Sequence, residues 1–446
     1  MRRGARLALY GGIVVAVVGL SLFHASSIAD PPYAYFASAS RTAWSVIYVS
    51  TLLVVAYGLG LPELPRTAGR ALVISTLAAA SGALLISVVQ LVIGDALLPR
   101  FVVFGSAIVL VPWYLLCAGL SAGGRQKQAE RDRVLVVGFP DEVAPVRVDL
   151  RRSPERAASI ASVVLPEEAS QPSGKPSEDG PLVRRASDAK ATVVVLDSLA
   201  EADDSIVDQA AELHSRGLRV RSYAQFTDEW LGKVPLADLE RASLLFDVGE
   251  VHRARYGRIK RLMDLVVGLG GMVLFVVMIP FVLVGDLAAN RGPLLFGQER
   301  VGKGGSTFRI LKFRTMEPQV ASVGEATVVG DPRVTPFGAL LRKTHLDEVP
   351  QAWNLLRGDL SVVGPRPEQP HYVEQYTASL PFYDLRHLVR PGLTGWAQVK
   401  YPYGANEIDA REKLQYEFWY LRHQSLSVDL RVLGRTVRSV LGGEGR

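Results

Sequence analysis

The chain has 446 residues, 48% of them apolar, and a net charge of +6 that is unevenly placed. Its single cysteine, Cys117, excludes an intrachain disulfide and any zinc site built from a cysteine cluster, so nothing demands an oxidising compartment. The length allows roughly two to four domains, and long apolar runs in the first 120 positions point to a membrane part.

Four stretches, near 7–23, 42–61, 71–94 and 99–120, are apolar over the roughly 20 residues a bilayer requires. The first is short enough to resemble a signal-peptide core, but three further spans follow it. Arg2, Arg3 and Arg6 precede the first span, Arg66 and Arg70 separate the second from the third, and Arg125, Lys127, Arg131 and Arg133 follow the fourth. The opposite loops carry little beyond Arg41 and Arg100. Cytoplasmic loops collect Lys and Arg, so both ends of this bundle are expected in the cytoplasm.

From Arg133 the pattern changes. RVLVVG (133–138) and ATVVVLD (191–197) read as buried strands, Ile206–Arg216 has helical spacing, and Leu218–Ser222 is a further short strand. Alternating strand and helix predicts a small Rossmann-like α/β domain, with scaffold or regulation as its role. Its first turn, GFPDEV, lacks the G-x-G-x-x-G dinucleotide fingerprint. The polar, Pro/Ser-rich segment 166–190 is expected to be a loop or disordered insert.

A fifth apolar stretch, Leu262–Leu287, has Arg258, Lys260 and Arg261 before it and Arg291 and Arg300 after it. Positive charge on both sides argues that both ends stay cytoplasmic. Pro280 lies inside, where a proline removes a backbone hydrogen bond and bends a helix. A re-entrant helix broken at Pro280 reconciles the two observations.

GQERVGK (297–303) imitates a phosphate loop, but Gly304 stands where Ser or Thr is required, and an extended pattern follows instead of a helix. Tyr256-x-x-x-Lys260 imitates a dehydrogenase pair, with no cofactor loop to accompany it, and reads as a juxtamembrane basic anchor. FRILKFRTM (308–316) alternates apolar residues with Arg309, Lys312 and Arg314. Arg342, Arg366 in GPRP and Arg390 in RPGLTGW add further guanidinium groups. Each alone reads as basic surface; together, flanked by Gly and Pro, they suit phosphate capture. Aromatic-basic interleaving is missing, so nucleic acid is not an expected partner.

Within RKTHLDEVPQAWNLLRG (342–358) sits the acidic pair Asp347-Glu348. Val349, Ala352, Trp353 and Leu356 recur at helical spacing, which predicts a helix from about 348 that buries this face. Asp347 then reads as an N-cap. The pair also reads as a Mg²⁺ site beside a pyrophosphate, or as a nucleophile that attacks phosphorus. The residues alone leave these alternatives open.

KRLMD (260–264), FGQERVGKGG (296–305), FRILKFRTM (308–316), DPRVTPFGALLRKTHLDEVPQAWNLLRGDLSVVGPRPE (331–368) and RPGLTGWAQV (390–399) occur in this order. Together they closely resemble the bacterial sugar transferase family, the polyprenyl-phosphate glycosyl-1-phosphate transferases, over roughly 255–446. The upstream layout is similar to that of the larger members. The resemblance implies a four-helix transmembrane bundle over 1–124, a cytoplasmic α/β domain over 125–255 and a mainly α catalytic domain over 256–446. The catalytic domain would carry a re-entrant membrane helix at 262–287.

It further implies transfer of a sugar 1-phosphate from a UDP-sugar to undecaprenyl phosphate, with release of UMP, at the cytoplasmic face of the bacterial inner membrane. Such a reaction starts exopolysaccharide, capsule or O-antigen assembly. Asp347 would attack phosphorus to form a phosphosugar-aspartyl intermediate, and Glu348 would support Mg²⁺ and proton traffic. Lys312, Arg342 and Arg366 would hold phosphates, with Arg314 and Arg390 as further substrate-binding candidates. The bilayer, a second copy of the chain and downstream glycosyltransferases are the remaining expected partners.

One departure concerns the helix break, commonly Ser-Pro in the family, where Ile279 precedes Pro280 here. LSVDLRVLGRTVRSVL (426–441) reads as an amphipathic helix that either lies on the membrane or packs on the domain. Two rival functions fit the residues less well. A non-catalytic organiser of polysaccharide export conflicts with the intact acidic pair and cation set. A dehydratase or epimerase lacks a cofactor loop.

Overall fold

The structure is a computed structural model. It describes residues 2–37, 39–62, 68–93, 98–129, 132–152, 154–170, 180–236, 250–289, 292–317, 331, 333–401 and 407–441. The chain divides into two compact units, Met1–Leu239 and Glu240–Arg446. Of the loop cations behind the expected orientation, Arg66, Arg131 and Arg291 lie outside the described residues.

The first unit opens with four helices: α1 (Arg2–Phe23), α2 (Ala39–Gly58), α3 (Ala68–Ile93) and α4 (Arg100–Ala129). They share one core, in which Leu9, Ile13 and Val17 meet Tyr48, Leu52, Ala78, Ala79, Val102 and Leu110. Alanines and Gly82 on α3 let the helices approach closely, and a Cβ at Gly82 would lie 2.4 Å from Leu52. The Tyr48 hydroxyl donates to the Val103 carbonyl at 3.2 Å and lies 2.9 Å from Ser106 Oγ, so its polar end is satisfied inside the bundle. Among the described residues, three helices are long and apolar enough to cross a membrane: Gly4–Ile28, Arg100–Ser121 and Tyr256–Asp286. The expected span at 42–61 is a helix that falls short of that measure, and the one at 71–94 lies on α3, whose described residues carry the apolar stretch Ala71–Ser87. Arg41, Thr42, Ser45, Ser50 and Thr51 dilute α2.

An α/β layer follows. Strands β1 (Arg133–Val137), β2 (Ser159–Val164), β3 (Val193–Leu196) and β4 (Arg219–Ser222) form one parallel sheet in the order β2-β1-β3-β4. Helix α5 (Pro140–Arg152) packs on one face and α6 (Asp204–Ser215) on the other, so the central strands are buried on both sides. Asp203 caps α6 by accepting from the backbone N–H of Ser205 at 2.9 Å. The expected insert at 166–190 is partly ordered, because Pro166–Ala169 and Pro181–Asp188 are helical and bury Ala169, Leu182 and Val183. Residues 171–179 of it lie outside the described residues. The first turn of α5 carries Asp141 and Glu142, whose charge opposes a phosphate at that helix end.

The second unit is organised on helix α7 (Glu250–Ala289), which continues without interruption through Pro280, so the break expected at that proline is not present. One face of α7 is packed along its length. A Cβ at Gly268 would lie 2.9 Å from Leu356, one at Gly271 2.9 Å from Ala352, and one at Gly285 2.3 Å from Phe337. Between these close approaches, Phe275 packs on Phe313 in a tilted arrangement with ring centroids 5.5 Å apart, and Val282 joins Phe313 and Leu341 in a core. The opposite face, including Leu262, Val266, Val273, Phe281 and Val284, is exposed.

The polar residues near both ends of α7 are held by the same unit. Asp264 accepts from Ser361 Oγ at 2.9 Å and from the Val362 N–H at 2.8 Å. Arg261 donates to the carbonyls of Leu355 and Leu356, each at 2.6 Å, and so caps α9 (Ala352–Arg357), which follows α8 (Pro336–Lys343). At the far end, Asp286 faces Arg314 at 3.9 Å.

Strands β5 (Leu295–Val301) and β6 (Thr307–Phe313) form an antiparallel hairpin whose turn uses Gly304 and Gly305 at φ 69° and 79°. Strands β7 (Ser361–Val363) and β8 (Gly392–Thr394) pair in parallel and press the GPRP and RPGLTGW backbones together. A Cβ at Gly392 would lie 2.1 Å from the Gly364 nitrogen. Helix α10 (Pro370–Ser379) follows the GPRPE segment, and α11 (Glu407–His423) and α12 (Leu426–Leu441) close the unit. Helix α12 packs inward: Val428, Asp429 and Val432 are buried, and Asp429 pairs with Lys260 and accepts from the Tyr420 hydroxyl at 2.8 Å.

Arg386 and Glu417 form a buried bidentate pair, with both N–O distances 2.8 Å. Arg386 also donates to the Arg366 carbonyl at 2.8 Å and thereby holds the GPRP loop. Removing one partner leaves an uncompensated buried charge, so Glu417→Leu is expected to destabilise the unit by about 3–5 kcal/mol. Denaturant unfolding in detergent measures this; a loss under about 1 kcal/mol would show that the pair is not structural.

Candidate active site

The site is built where β6, the end of α8 and the turn that follows it converge. Asn354 fixes β6 from below, accepting from the Leu311 N–H at 3.1 Å and donating to the Arg309 carbonyl at 2.9 Å. Alternation along the strand then turns Lys312 toward the acidic pair, and Lys312 Nζ lies 2.6 Å from Glu348 Oε1.

The expected helix start is different in the structure. His345 adopts the left-handed conformation (φ 55°, ψ 16°), and Leu346–Gln351 form a 3₁₀ turn before α9 begins. Asp347 lies inside this turn and is not an N-cap. Because a 3₁₀ turn has three residues per turn, the buried face also rotates. Asp347, Pro350, Gln351, Ala352, Asn354 and Leu355 are buried, while Trp353, expected inside, is 51% exposed.

Asp347 is 8% exposed and sits beside Lys312, Arg342 and His345. Burial raises its pKa above the ordinary aspartate value, the Glu348 charge adds to the rise, and the cations oppose it. Glu348 shifts the other way. Burial pushes it up, but its ion pair with Lys312, helped by Arg366 and His345, brings it below the ordinary glutamate value. Two adjacent carboxylates are thus tuned apart by their surroundings.

Of the expected cations, Lys312, Arg342 and Arg366 lie in electrostatic reach of the pair. Arg342 is aimed by a 2.8 Å hydrogen bond from its Nε to Thr315 Oγ1. Arg366 is exposed on the GPRP loop. Arg314 is buried and directed elsewhere, donating to the Pro293 carbonyl at 2.7 Å and the Met316 carbonyl at 3.1 Å; it fastens β6 to the end of α7. Arg390 lies near Asp264 on α7, at the β8 side of the unit.

Sequence reasoning passed over Arg300 as a site residue. It donates to the Pro367 carbonyl at 3.0 Å and lies 3.8 Å from Glu368, beside Arg366 and within reach of Glu348. Burial, and the like charge of Arg366, lower its pKa. The signal was available in the alternation of QERV, which places Arg300 opposite Phe308 of β6.

No group of three or more His, Cys, Asp or Glu suited to a metal occurs among the described residues. Mg²⁺ usually takes one or two carboxylates, with waters and substrate phosphates completing the shell. Asp347 and Glu348, the latter one-third exposed, fit that donor set.

A buried carboxylate and a paired neighbour, ringed by cations and set against an apolar helix, suit phosphoryl chemistry at a membrane surface. The profile of the bacterial sugar transferase family matches residues 255–443. A UDP-N-acetylgalactosamine-undecaprenyl-phosphate N-acetylgalactosaminephosphotransferase of Aeromonas hydrophila is 42% identical over 191 residues, 43% of this chain and 45% of that protein. A UDP-glucose:undecaprenyl-phosphate glucose-1-phosphate transferase of Caulobacter vibrioides is 41% identical over 192 residues, 41% of this chain and 69% of its own length. The sugar transferase EpsL of Bacillus subtilis is 39% identical over 187 residues, 42% of this chain and 89% of its own. The chain therefore belongs to the bacterial sugar transferase family. The match spans less than half of the Aeromonas hydrophila protein.

The raised pKa of Asp347 has a consequence for stability. The folded state holds this proton more tightly than the unfolded chain, so stability falls as pH rises through the folded value and the whole penalty is present at neutral pH. In metal-free buffer, Asp347→Asn is expected to match or exceed the wild-type thermal midpoint at neutral pH, and to lose that advantage below the ordinary carboxylate range. A midpoint well below wild type at neutral pH would contradict this.

Proposed function

We propose that the protein transfers a sugar 1-phosphate from a UDP-sugar to undecaprenyl phosphate and releases UMP, starting assembly of a lipid-linked polysaccharide such as an exopolysaccharide, capsule or O-antigen. The observation that carries the reading is the Asp347-Glu348 pair itself, buried at Asp347 and surrounded by Lys312, Arg342 and Arg366, inside the stretch shared with the sugar transferases.

In the first half-reaction a carboxylate oxygen of Asp347 attacks the sugar-bearing phosphorus. A bond forms between Asp347 and phosphorus, the bond from phosphorus to the bridging oxygen breaks, and UMP leaves with that oxygen. In the second, a phosphate oxygen of undecaprenyl phosphate attacks the same phosphorus and restores the Asp347 carboxylate. Lys312, Arg342 and Arg366 hold the phosphates and offset the charge that the transferring group carries. Glu348 keeps Lys312 in place and takes part in proton traffic. Asp347 and Glu348 would hold Mg²⁺, which would supply charge neutralisation to the diphosphate when bound.

The exposed face of α7 meets lipid, and the helix, bent at Pro280 but not broken there, enters and leaves on the cytoplasmic side of the inner membrane as a re-entrant element. Two facts support this course. Asp264 and Asp286, near opposite ends of the apolar stretch, are both held by the same polar unit, and that unit packs one face of the helix from Gly268 to Gly285. The N-terminal helices 1–124 form the membrane bundle and 125–255 the cytoplasmic α/β domain, with 256–446 as the catalytic part. A second copy and downstream glycosyltransferases are the protein partners of this reading.

Purified protein with Mg²⁺ and undecaprenyl phosphate is expected to release UMP from at least one member of a UDP-sugar panel, and Asp347→Asn to reduce release to background. Substantial turnover by folded Asp347→Asn would remove Asp347 as the nucleophile.

A further inference from the structure

The residue that joins α8 to the acidic pair has an unusual backbone. His345 is one of three non-glycine residues with positive φ among the described residues, the others being Lys190 and Phe382, and it alone borders the site. It occupies the position after the α8 C-cap, Thr344, where glycine is the default because it lacks a Cβ. The same unit uses glycine for this purpose elsewhere, with Gly358 at φ 93° ending α9. The backbone of His345 has partners: its N–H donates to the Arg342 carbonyl at 3.1 Å and its carbonyl accepts from the Glu348 N–H at 3.3 Å. The left-handed bend thus turns the chain so that Arg342 and Asp347 face one another, and glycine would perform that task with less strain. Strain retained at a site is a pointer to what the side chain does there.

The imidazole is exposed, and it lies in electrostatic reach of both Asp347 and Glu348. Either neutral tautomer offers one ring N–H, so a donor is present without any change of charge. Lys312 is committed to Glu348, and Arg342 to Thr315, through at least one of their donors. His345 is exposed, whereas the Asp347 beside it is buried.

We infer that His345 is a substrate-contacting residue, whose ring N–H donates a hydrogen bond to a phosphoryl oxygen of the group transferred at Asp347. This rests on the function proposed above. The ring keeps its proton throughout; the bonds made and broken remain those at phosphorus. A fixed donor aimed at a charged phosphoryl oxygen stabilises the transition state more than it stabilises free substrate.

The test compares His345→Gly with His345→Ala in the full-length protein, reading UMP release and thermal midpoint. Glycine removes the side chain and relieves the left-handed strain, whereas alanine removes the ring but keeps the strain. The expected result is a loss in kcat of about a hundredfold in the glycine variant, at a midpoint no lower than wild type, partly restored by free imidazole in the buffer. A glycine variant at wild-type turnover, or a loss that imidazole does not reverse, overturns the proposal in favour of a backbone role. Wild-type protein that releases no UMP from any UDP-sugar would instead strike the reading of function on which this inference rests.

Discussion

The Lys312–Glu348 ion pair is the contact around which the site is organised. It ties strand β6 to the turn that carries both carboxylates, and it keeps Glu348 ionised although burial opposes that charge. Its geometry is not left to two flexible side chains. Asn354 grips the backbone of β6 on the residue before Lys312, and Phe313 on the residue after it is buried against α7. With Glu348 occupied, Asp347 feels an adjacent negative charge and a desolvated setting, and both favour its proton. Lys312 and Arg342 draw it back toward ionisation. A carboxylate held in such opposition is destabilised relative to one in water, which is the condition of a good nucleophile.

Helix α7 supplies the second constraint. Its glycines at 268, 271 and 285 allow α9 and α8 to lie against it, so the elements that bear the acidic pair are seated directly on the apolar helix. The arrangement explains how a polar site and a lipid-facing surface coexist within one unit. The face away from the site is exposed and apolar, while Arg261 and Asp264 on the other face hold α9 and β7. The GPRP loop continues from β7 and is clamped from its far side by Arg386, itself neutralised by Glu417. Arg366 therefore depends on contacts well outside its own loop.

Much of this was legible in the residues. Alternation in FRILKF predicted a strand with a charged face, and Lys312 does point at Glu348. Parallel α/β order was readable from buried valine runs, although β2 was not, because SIASVV carries too little apolar contrast to stand out. Arg314 looked equivalent to Lys312 by its place in the same motif. Its burial against the Pro293 and Met316 carbonyls depends on where β5 and α7 end, which local pattern does not encode. The capping role expected of Asp347 failed for a related reason. A left-handed histidine has no signature in the spacing of apolar residues, and it shifted the turn by enough to bury Asp347 and expose Trp353. The Arg386–Glu417 pair joins positions far apart in the chain and left no local trace.

The central claim is that Asp347 becomes covalently attached to the transferred group. Intact-protein mass spectrometry on chain incubated with a UDP-sugar, in the absence of lipid acceptor, tests it most directly. The account predicts a mass increase of one phosphosugar, located by fragmentation on Asp347 and removed when undecaprenyl phosphate is added. A protein that turns over UDP-sugar to UMP and lipid product yet never carries that mass, or carries it on another residue, would contradict it.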